Sequence, residues 1–437
     1  MGMEEQTREL FPGVRLTMMR TDRFRSGCFS VHLLRPLRAE DVSRDALLPF
    51  VLRRGTRTLP DEARISSALD GLFGSSLEPD LLQMGETLPI GFRAAFPEDR
   101  FLSDGEDCLS RIVALSGEVL LDPVTRGGLL RDDYVRFEGQ NLHDWIKTET
   151  ETVRGSAIKR ARELMFAGEA FGVWPLWEAE DALRVHYQAL TKHYREVLRT
   201  SPVELFYCGS AEGARVEEAA RRAFMTLPGG GERIMPETLA VAEKRELRHV
   251  TEKTVAEQGI LVLGFRRHRS GGADYPALEV FNRLFGGGPT SRLFLNVREE
   301  KALCSDIDSR VERYKEIMTV TAFTDFSRRE EAEEAILTEL AQLAAGNISF
   351  DELKTARHSA VQDYLQKLSS PLAVCAFRLG QNLLGAGGDL RQYAALASEV
   401  RAEDVARIAS EMQPELSCYR GRGAENGDTP DREVKEG

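Results

Sequence analysis

Residues Phe285–Leu303 read FGGGPTSRLFLNVREEKAL. Three glycines, Gly286 to Gly288, are followed by an amphipathic pattern that predicts a helix over 291–300, with Arg292 close to its start. A second helical pattern over 275–285 precedes the glycines, so their simplest use is a tight turn between two helices. Glycines before a helix also suggest a phosphate loop, because backbone amides at a helix N-terminus bind anions. The GK[ST] ending is missing and no strand leads into the glycines, which argues against a nucleotide site.

Working outward, a strand pattern over 260–265 comes before the 275–285 helix, and a strand pattern over 28–34 comes before a helical pattern over 44–52. Placing Ala46-Leu47 on Ala277-Leu278, an offset of 231, also superposes Phe50 on Phe281, Gly55 on Gly286 and Val31 on Val262. This points to an internal repeat. In the first copy a helix over 61–73 follows Pro60 and is expected to bury Ile65, Leu69, Leu72 and Phe73; strands are predicted over 86–96 and 203–208. In the second copy alternating strands are predicted over 306–313 and 317–324. Strands interrupted by pairs of long helices predict an α+β fold: two homologous domains, each a mostly antiparallel sheet with helices packed on one face. Glycines and then charged residues mark a linker over 229–247 between an N-terminal domain, 1–228, and a C-terminal domain, 248–420. The tail, 421–437, has almost nothing apolar to bury and is expected to be disordered.

Length alone calls for about two domains, since 437 residues exceed one ordinary core. A net charge of −12, without a lysine and arginine block, gives nucleic acid no electrostatic footprint. No run of about 18 apolar residues and no apolar leader occurs, so a soluble, cytoplasmic protein without a membrane span is expected. The six cysteines are scattered with no CxxC, which fits small buried hydrophobes in a reducing compartment; Cys304, at the end of the opening stretch, lacks an evident activating neighbour. The seven histidines include no pair three or four residues apart. His186 and His193, seven apart, would lie about 10 Å apart along a helix, so surface or partly buried positions are expected. Trp174 and Trp177 around Pro175 read as an apolar plug.

The opening stretch, LLPFVLRRGTRTLPDEARISSALDGLFG and PVELFYCGSAEGARVEEAARRAF together resemble the pitrilysin/insulinase (inverzincin) metallopeptidases, in particular their short two-domain, processing-peptidase-like branch. The middle stretch is also similar to the non-proteolytic member of the bacterial pair associated with aminopentanol modification of elongation factor P.

The resemblance implies a zinc site that these residues do not make. In that family the helix before a Gly-Thr dipeptide carries HxxEH, because imidazoles at i and i+4 share a face and reach one ion, while the glutamate acts as general base. Anchored on Gly55-Thr56, the three positions hold Ala46, Pro49 and Phe50, none of which can ligate or take a proton. Proline inside a helix removes a hydrogen bond, so the helix is expected to start near Leu48 or to kink there. The family's third ligand, a glutamate on a later helix, has Asp144 as its nearest match, and the alternative is a solvated Asp144 beside His143. No zinc or other metal, and no other cofactor, is expected. In the second domain the family supplies an arginine and a tyrosine that grip substrate; Arg292 stands at the arginine position and Ser305 at the tyrosine position. Arg292 can therefore hold a carboxylate or carbonyl, or simply pair with Glu299 or Glu300 on the helix surface.

These readings imply a catalytically inactive metallopeptidase homologue that binds a peptide or protein as a non-catalytic or regulatory subunit. Its expected partner is an HxxEH-bearing paralogue, in a hetero-oligomer, or a second copy in a homodimer. An assembly or scaffold protein without proteolysis is the second reading, and a zinc endopeptidase with a relocated site the third.

Overall fold

The computed structural model describes residues 3–103, 106–174, 178–228, 245–256, 258–268 and 274–422. Its first sheet contains β1 (Glu4–Phe11), β2 (Val14–Arg20), β3 (Ser26–Pro36), β4 (Ser76–Leu81) and β5 (Thr87–Pro97). A two-stranded ribbon of β6 (Thr125–Arg126) and β7 (Leu129–Leu130) follows, and β8 (Val203–Gly209) returns to the first sheet. The second sheet contains β9 (Arg248–Lys253), β10 (Ile260–Arg267), β11 (Asp306–Glu312), β12 (Ile317–Phe323) and β13 (Met412–Gly421). The strand orders are β1-β2-β8-β3-β5-β4 and β11-β12-β10-β13-β9. Read from the other end, the second order repeats the first without β1. The likeness extends to direction, because β2–β8 and β9–β13 are the parallel pairs in otherwise antiparallel sheets. The α+β class and the duplication are thus both present.

The reason for these strands is the alternation along them. In β3, Phe29, Val31 and Leu33 enter the apolar core with Leu205 and Tyr207 of β8 and Phe92 of β5, under helices Val42–Arg53, Cys108–Leu121, Tyr187–Thr200 and Gly213–Phe224. Cys28, Ser30 and His32 take the alternate positions of the strand. There one register row crosses the sheet through Arg15, Glu204, His32, Gly91 and Asp80. His32 Nε2 lies 2.9 Å from Asp80 Oδ2. The intervening position is Gly91, where a Cβ would come within 2.0 Å of the Val31 carbonyl oxygen.

Contacts divide the chain into two units that interleave along the sequence: 1–149, 168–240 and 362–393 in one, 150–167, 241–361 and 394–437 in the other. Helix Pro371–Leu384, from the second half of the sequence, therefore packs on β3 and β8 of the first sheet, where Asn382 Nδ2 donates to Glu204 and Arg378 pairs with Glu5 at 2.6 Å. Helix Val153–Met165, from the first half, packs on β10 and β13. Its small residues Ala157 and Ala161 are buried, and Met165 fits against Gly264, where a Cβ would lie 2.6 Å from its sulfur. Arg154 at its start bonds Asp308 and Thr321. Each sheet thus carries one helix beyond those expected from the pattern, taken from the other half.

Several local expectations change. The helix Val42–Arg53 begins six residues before Leu48 and contains Pro49 in its interior. The next helix is Glu62–Asp70, capped by Asp61, whose side chain accepts from Arg64 N. Ile65, Leu69 and Leu72 are buried, but Phe73 is 50% exposed because it turns into the left-handed region at φ 59°. Gly421 still pairs with Lys253 at the end of β13. Most of the linker, the rest of the tail beyond residue 422, and Pro175 to Trp177 lie outside the described residues. Among the described residues no helix is long and apolar enough to cross a membrane.

Candidate functional site

Helix Val42–Arg53 carries the three positions at which the sequence looks for ligands. Ala46 and Pro49 are buried and Phe50 is half-buried. Proline at 49 leaves the Asp45 carbonyl without its usual i+4 donor. The first turns are held instead by the Asp45 side chain, which accepts from Arg35 Nε at 3.1 Å and lies 2.7 Å from His193 Nε2. Ser201 Oγ also touches Arg35. All three charged or ionisable groups are buried, so His193 sits deeper than the surface or partly buried position expected of it, while His186 is exposed. Nothing in the spacing of Arg35, Asp45 and His193 announces this cluster, which joins β3 to two helices.

The later helix, Asp132–Thr150, faces the first through Trp145 and not through Asp144. The rings of Phe50 and Trp145 meet edge to face, centroids 6.3 Å apart at 60°. Asp144 is exposed, and His143 and Gln140 each bond it at 2.8 Å; those hydrogen bonds hold its carboxyl below the usual range. One turn beyond Phe50, Arg54 donates to Glu138 at 3.2 Å and to Glu62 at 2.8 Å, and stacks 4.4 Å from the centroid of Phe137. Burial raises the Glu138 carboxyl, opposed by Asn141 and Arg54. The two helices are joined here by an aromatic contact and a guanidinium–carboxylate bond. Ala46, Pro49 and Phe50 offer zinc no donor atom, so the residues present do not fit that ion. Among the described residues no group of three or more His, Cys, Asp and Glu could hold a metal.

The Gly55-Thr56 turn follows helix Val42–Arg53 and ties its end to helix Cys108–Leu121. A Cβ on Gly55 would lie 2.6 Å from the Pro60 carbonyl oxygen, and Thr56 Oγ1 donates to Glu118 at 2.7 Å.

The opening stretch belongs to the second unit. The segment predicted as a helix over 291–300 winds as a π-helix over Leu293–Glu300, with Lys301 N donating to Asn296 O. The preceding glycines have distinct reasons. A Cβ on Gly286 would lie 2.6 Å from Ser309 Oγ, one on Gly287 2.9 Å from the Asn282 carbonyl oxygen, and Gly288 has φ 154°. Arg292 donates through Nε to Glu352 at 2.7 Å, through Nη2 to the other Glu352 oxygen at 3.1 Å, and to the Asn347 carbonyl. Glu339 is 3.9 Å away. Burial opposes ionisation of Glu352, but the bonds from Arg292 and Ser349 outweigh it and hold the carboxyl at about 2. Arg292 thus pairs with Glu352, not Glu299 or Glu300. Ser305 is not bonded to it: Ser305 Oγ meets Gln258, and its carbonyl accepts from Arg298 Nε at 2.9 Å. Cys304 is buried, and burial pushes its thiol up to about 11.

Residues 184–360 match a family model described as the peptidase M16 inactive domain. The chain is 27% identical over 411 residues to the "probable inactive metalloprotease YmfF" of Bacillus subtilis, covering 93% of this chain and 95% of that one. A conserved protein from Enterococcus faecalis superposes with a TM-score of 0.88 at 21% identity, over 97% of this chain and all of that one. A chain of complex III2 from Candida albicans superposes at 0.71 with 13% identity, over 96% of each.

Proposed function

We propose that this chain, an inactive homologue of the pitrilysin-type (M16) metallopeptidases, acts as the non-catalytic, substrate-binding or regulatory subunit of an HxxEH-bearing paralogue. The observation that supports the reading is that Ala46, Pro49 and Phe50 offer no metal ligand or general base, and that Phe50 instead meets Trp145 edge to face. The Gly55-Thr56 turn and the glycine turn before Arg292 are both tightly packed. The paired chains would hold a peptide or protein in the cytoplasm, and the resemblance suggests elongation factor P modification as the process. Arg292 would contribute to substrate binding only by exchanging Glu352 for a substrate carboxylate, since the two already form a bidentate pair.

The test is isolation of the tagged chain with whatever accompanies it, followed by metal analysis and peptide cleavage with and without that companion. An HxxEH-bearing companion, with cleavage only in its presence, supports the proposal. One tightly bound zinc per isolated chain, or cleavage by the isolated chain, would sink it. A second reading, an assembly protein without proteolysis, is favoured by the fold likeness to a chain of complex III2. Co-purification with a complex unrelated to peptidases would select it.

A further inference from the structure

We propose that Arg53 and Pro79 together plug the free edge of the first sheet, so that an extended peptide, including β4 of a second copy, does not add there as a further strand. Strand β4 ends that sheet, with β5 on one side and, among the described residues, no strand on the other. An end strand offers its unpaired amides and carbonyls as a template for strand addition. The register shows which groups those are. Leu77, Pro79 and Leu81 stand opposite Ala94, Phe92 and Ile90 of β5, and in the same register Leu82 N donates to Pro89 O at 3.0 Å. Backbone groups of an antiparallel strand alternate sides, so Asp80 and Glu78 bond β5 as Leu82 does, while Leu77, Pro79 and Leu81 turn theirs outward.

Two of these outward positions are closed. Pro79 has no amide hydrogen to give. The Leu77 carbonyl already accepts from Arg53 Nε at 2.5 Å, from the last turn of helix Val42–Arg53. That guanidinium is held against its own preference for water: its Nη1 is buried without a hydrogen-bond partner, and burial pushes the group below its ordinary value, opposed by Glu78 and Glu62. An antiparallel pairing of two β4 strands centred on residue 79 would set Leu77 of each against Leu81 of the other. In both copies the central donor is missing and the Leu77 acceptor is taken, so the pairing loses its middle bonds and one bond of each flanking pair. The end strand of the second sheet, β11, is stopped by different chemistry. Its Ser309 amide, turned away from β12, donates to the Gly286 carbonyl at 3.0 Å, and Ser309 Oγ donates to Asn282 Oδ1 at 2.7 Å. In both copies of the repeat the stopper comes from the C-terminal end of the corresponding helix, Val42–Arg53 or Tyr275–Phe285.

The full-length chain, the single variants Arg53→Met and Pro79→Thr, and the double variant are compared by sedimentation velocity over a range of concentrations, with circular dichroism to confirm folding. Self-association roughly tenfold tighter in each single variant, and tighter again in the double variant, is expected, because each regains edge hydrogen bonds. Adding Leu81→Pro, which removes another outward donor, should return the double variant to native behaviour. Association of the double variant no tighter than native, or a gain that Leu81→Pro leaves in place, overturns the proposal. Weaker self-association of the native sequence on Leu81→Pro overturns it as well, since the edge would then already be open. Should Arg53→Met fail to fold, Pro79→Thr with and without Leu81→Pro decides alone.

Discussion

Phe50 and Trp145 touch edge to face with ring centroids 6.3 Å apart, one on helix Val42–Arg53 and the other on helix Asp132–Thr150. An aromatic pair of this kind contributes about 0.5–1.5 kcal/mol beyond the area it buries. Phe50→Ala is expected to cost about 2 kcal/mol, less than a fully buried phenylalanine because Phe50 is half-buried. A double-mutant cycle with Trp145→Ala, read by urea unfolding, should return a coupling of about 1 kcal/mol. Additivity of the two single effects would show that the contact does not couple the helices.

Pro49 is expected to be a local loss. Pro49→Ala restores the amide that the Asp45 carbonyl lacks and raises helix propensity, worth up to about 3 kcal/mol, against the lost packing of a buried ring. The net change should be a stabilisation of about 1 kcal/mol, seen as a higher Tm. A lower Tm would mean that ring packing outweighs the backbone term.

Arg292 and Glu352 give a pH signature. The Glu352 carboxyl is held at about 2, below its ordinary 4.5, so its contribution to folding is present above about pH 4.5 and is lost as pH falls through 2. Because the Glu352 side chain is 35% exposed, solvent screening keeps the contribution small. The Tm difference between the native sequence and Arg292→Ala should be constant above pH 5 and shrink steadily towards pH 2. A difference that persists unchanged at pH 2 assigns the role of Arg292 to packing or to the Asn347 carbonyl.

Gly91 is predicted to be intolerant. Gly91→Ala places a methyl carbon 2.0 Å from the Val31 carbonyl oxygen, backbone that cannot swing aside, in the middle of the first sheet. A loss of more than about 3 kcal/mol is expected, large enough to reduce soluble yield. Gly127→Ala, with nothing within 4 Å of its Cβ, serves as the comparison for a glycine in open space, and should cost only its left-handed φ of 62°.

The repeat was legible because it rests on residues that keep one environment in both copies. Ala46 and Ala277 are both buried, and Arg35 and Arg266, also separated by the 231-residue offset, are each buried in an ion pair, with Asp45 and with Glu415. Helix Tyr275–Phe285 matched its pattern end to end, since Asp274 caps it and Gly286 closes it. Phe50 and Phe281 part company: Phe281 is wholly buried and stacks on Phe285, whereas Phe50 remains half-exposed. Asp144 is exposed, in line with its reading as a solvated helix residue, while Trp145, about 100° further round the helix, meets Phe50, a contact that residue type alone does not announce. The interleaving of the halves was out of reach for a different reason. The stripe Ala157, Ala161 and Met165 shows that a helix has an apolar face, but says nothing about which sheet receives it.

The exchange of helices has a consequence for synthesis. The face of the first sheet that carries Cys28, His32 and Glu204 is finished by residues 371–384, which leave the ribosome roughly 160 residues after β8. At about 5–20 residues per second, that sheet face waits on the order of ten to thirty seconds for its cover. The nascent first half is a client in need of shelter during that interval, and truncation before residue 371 leaves it permanently so.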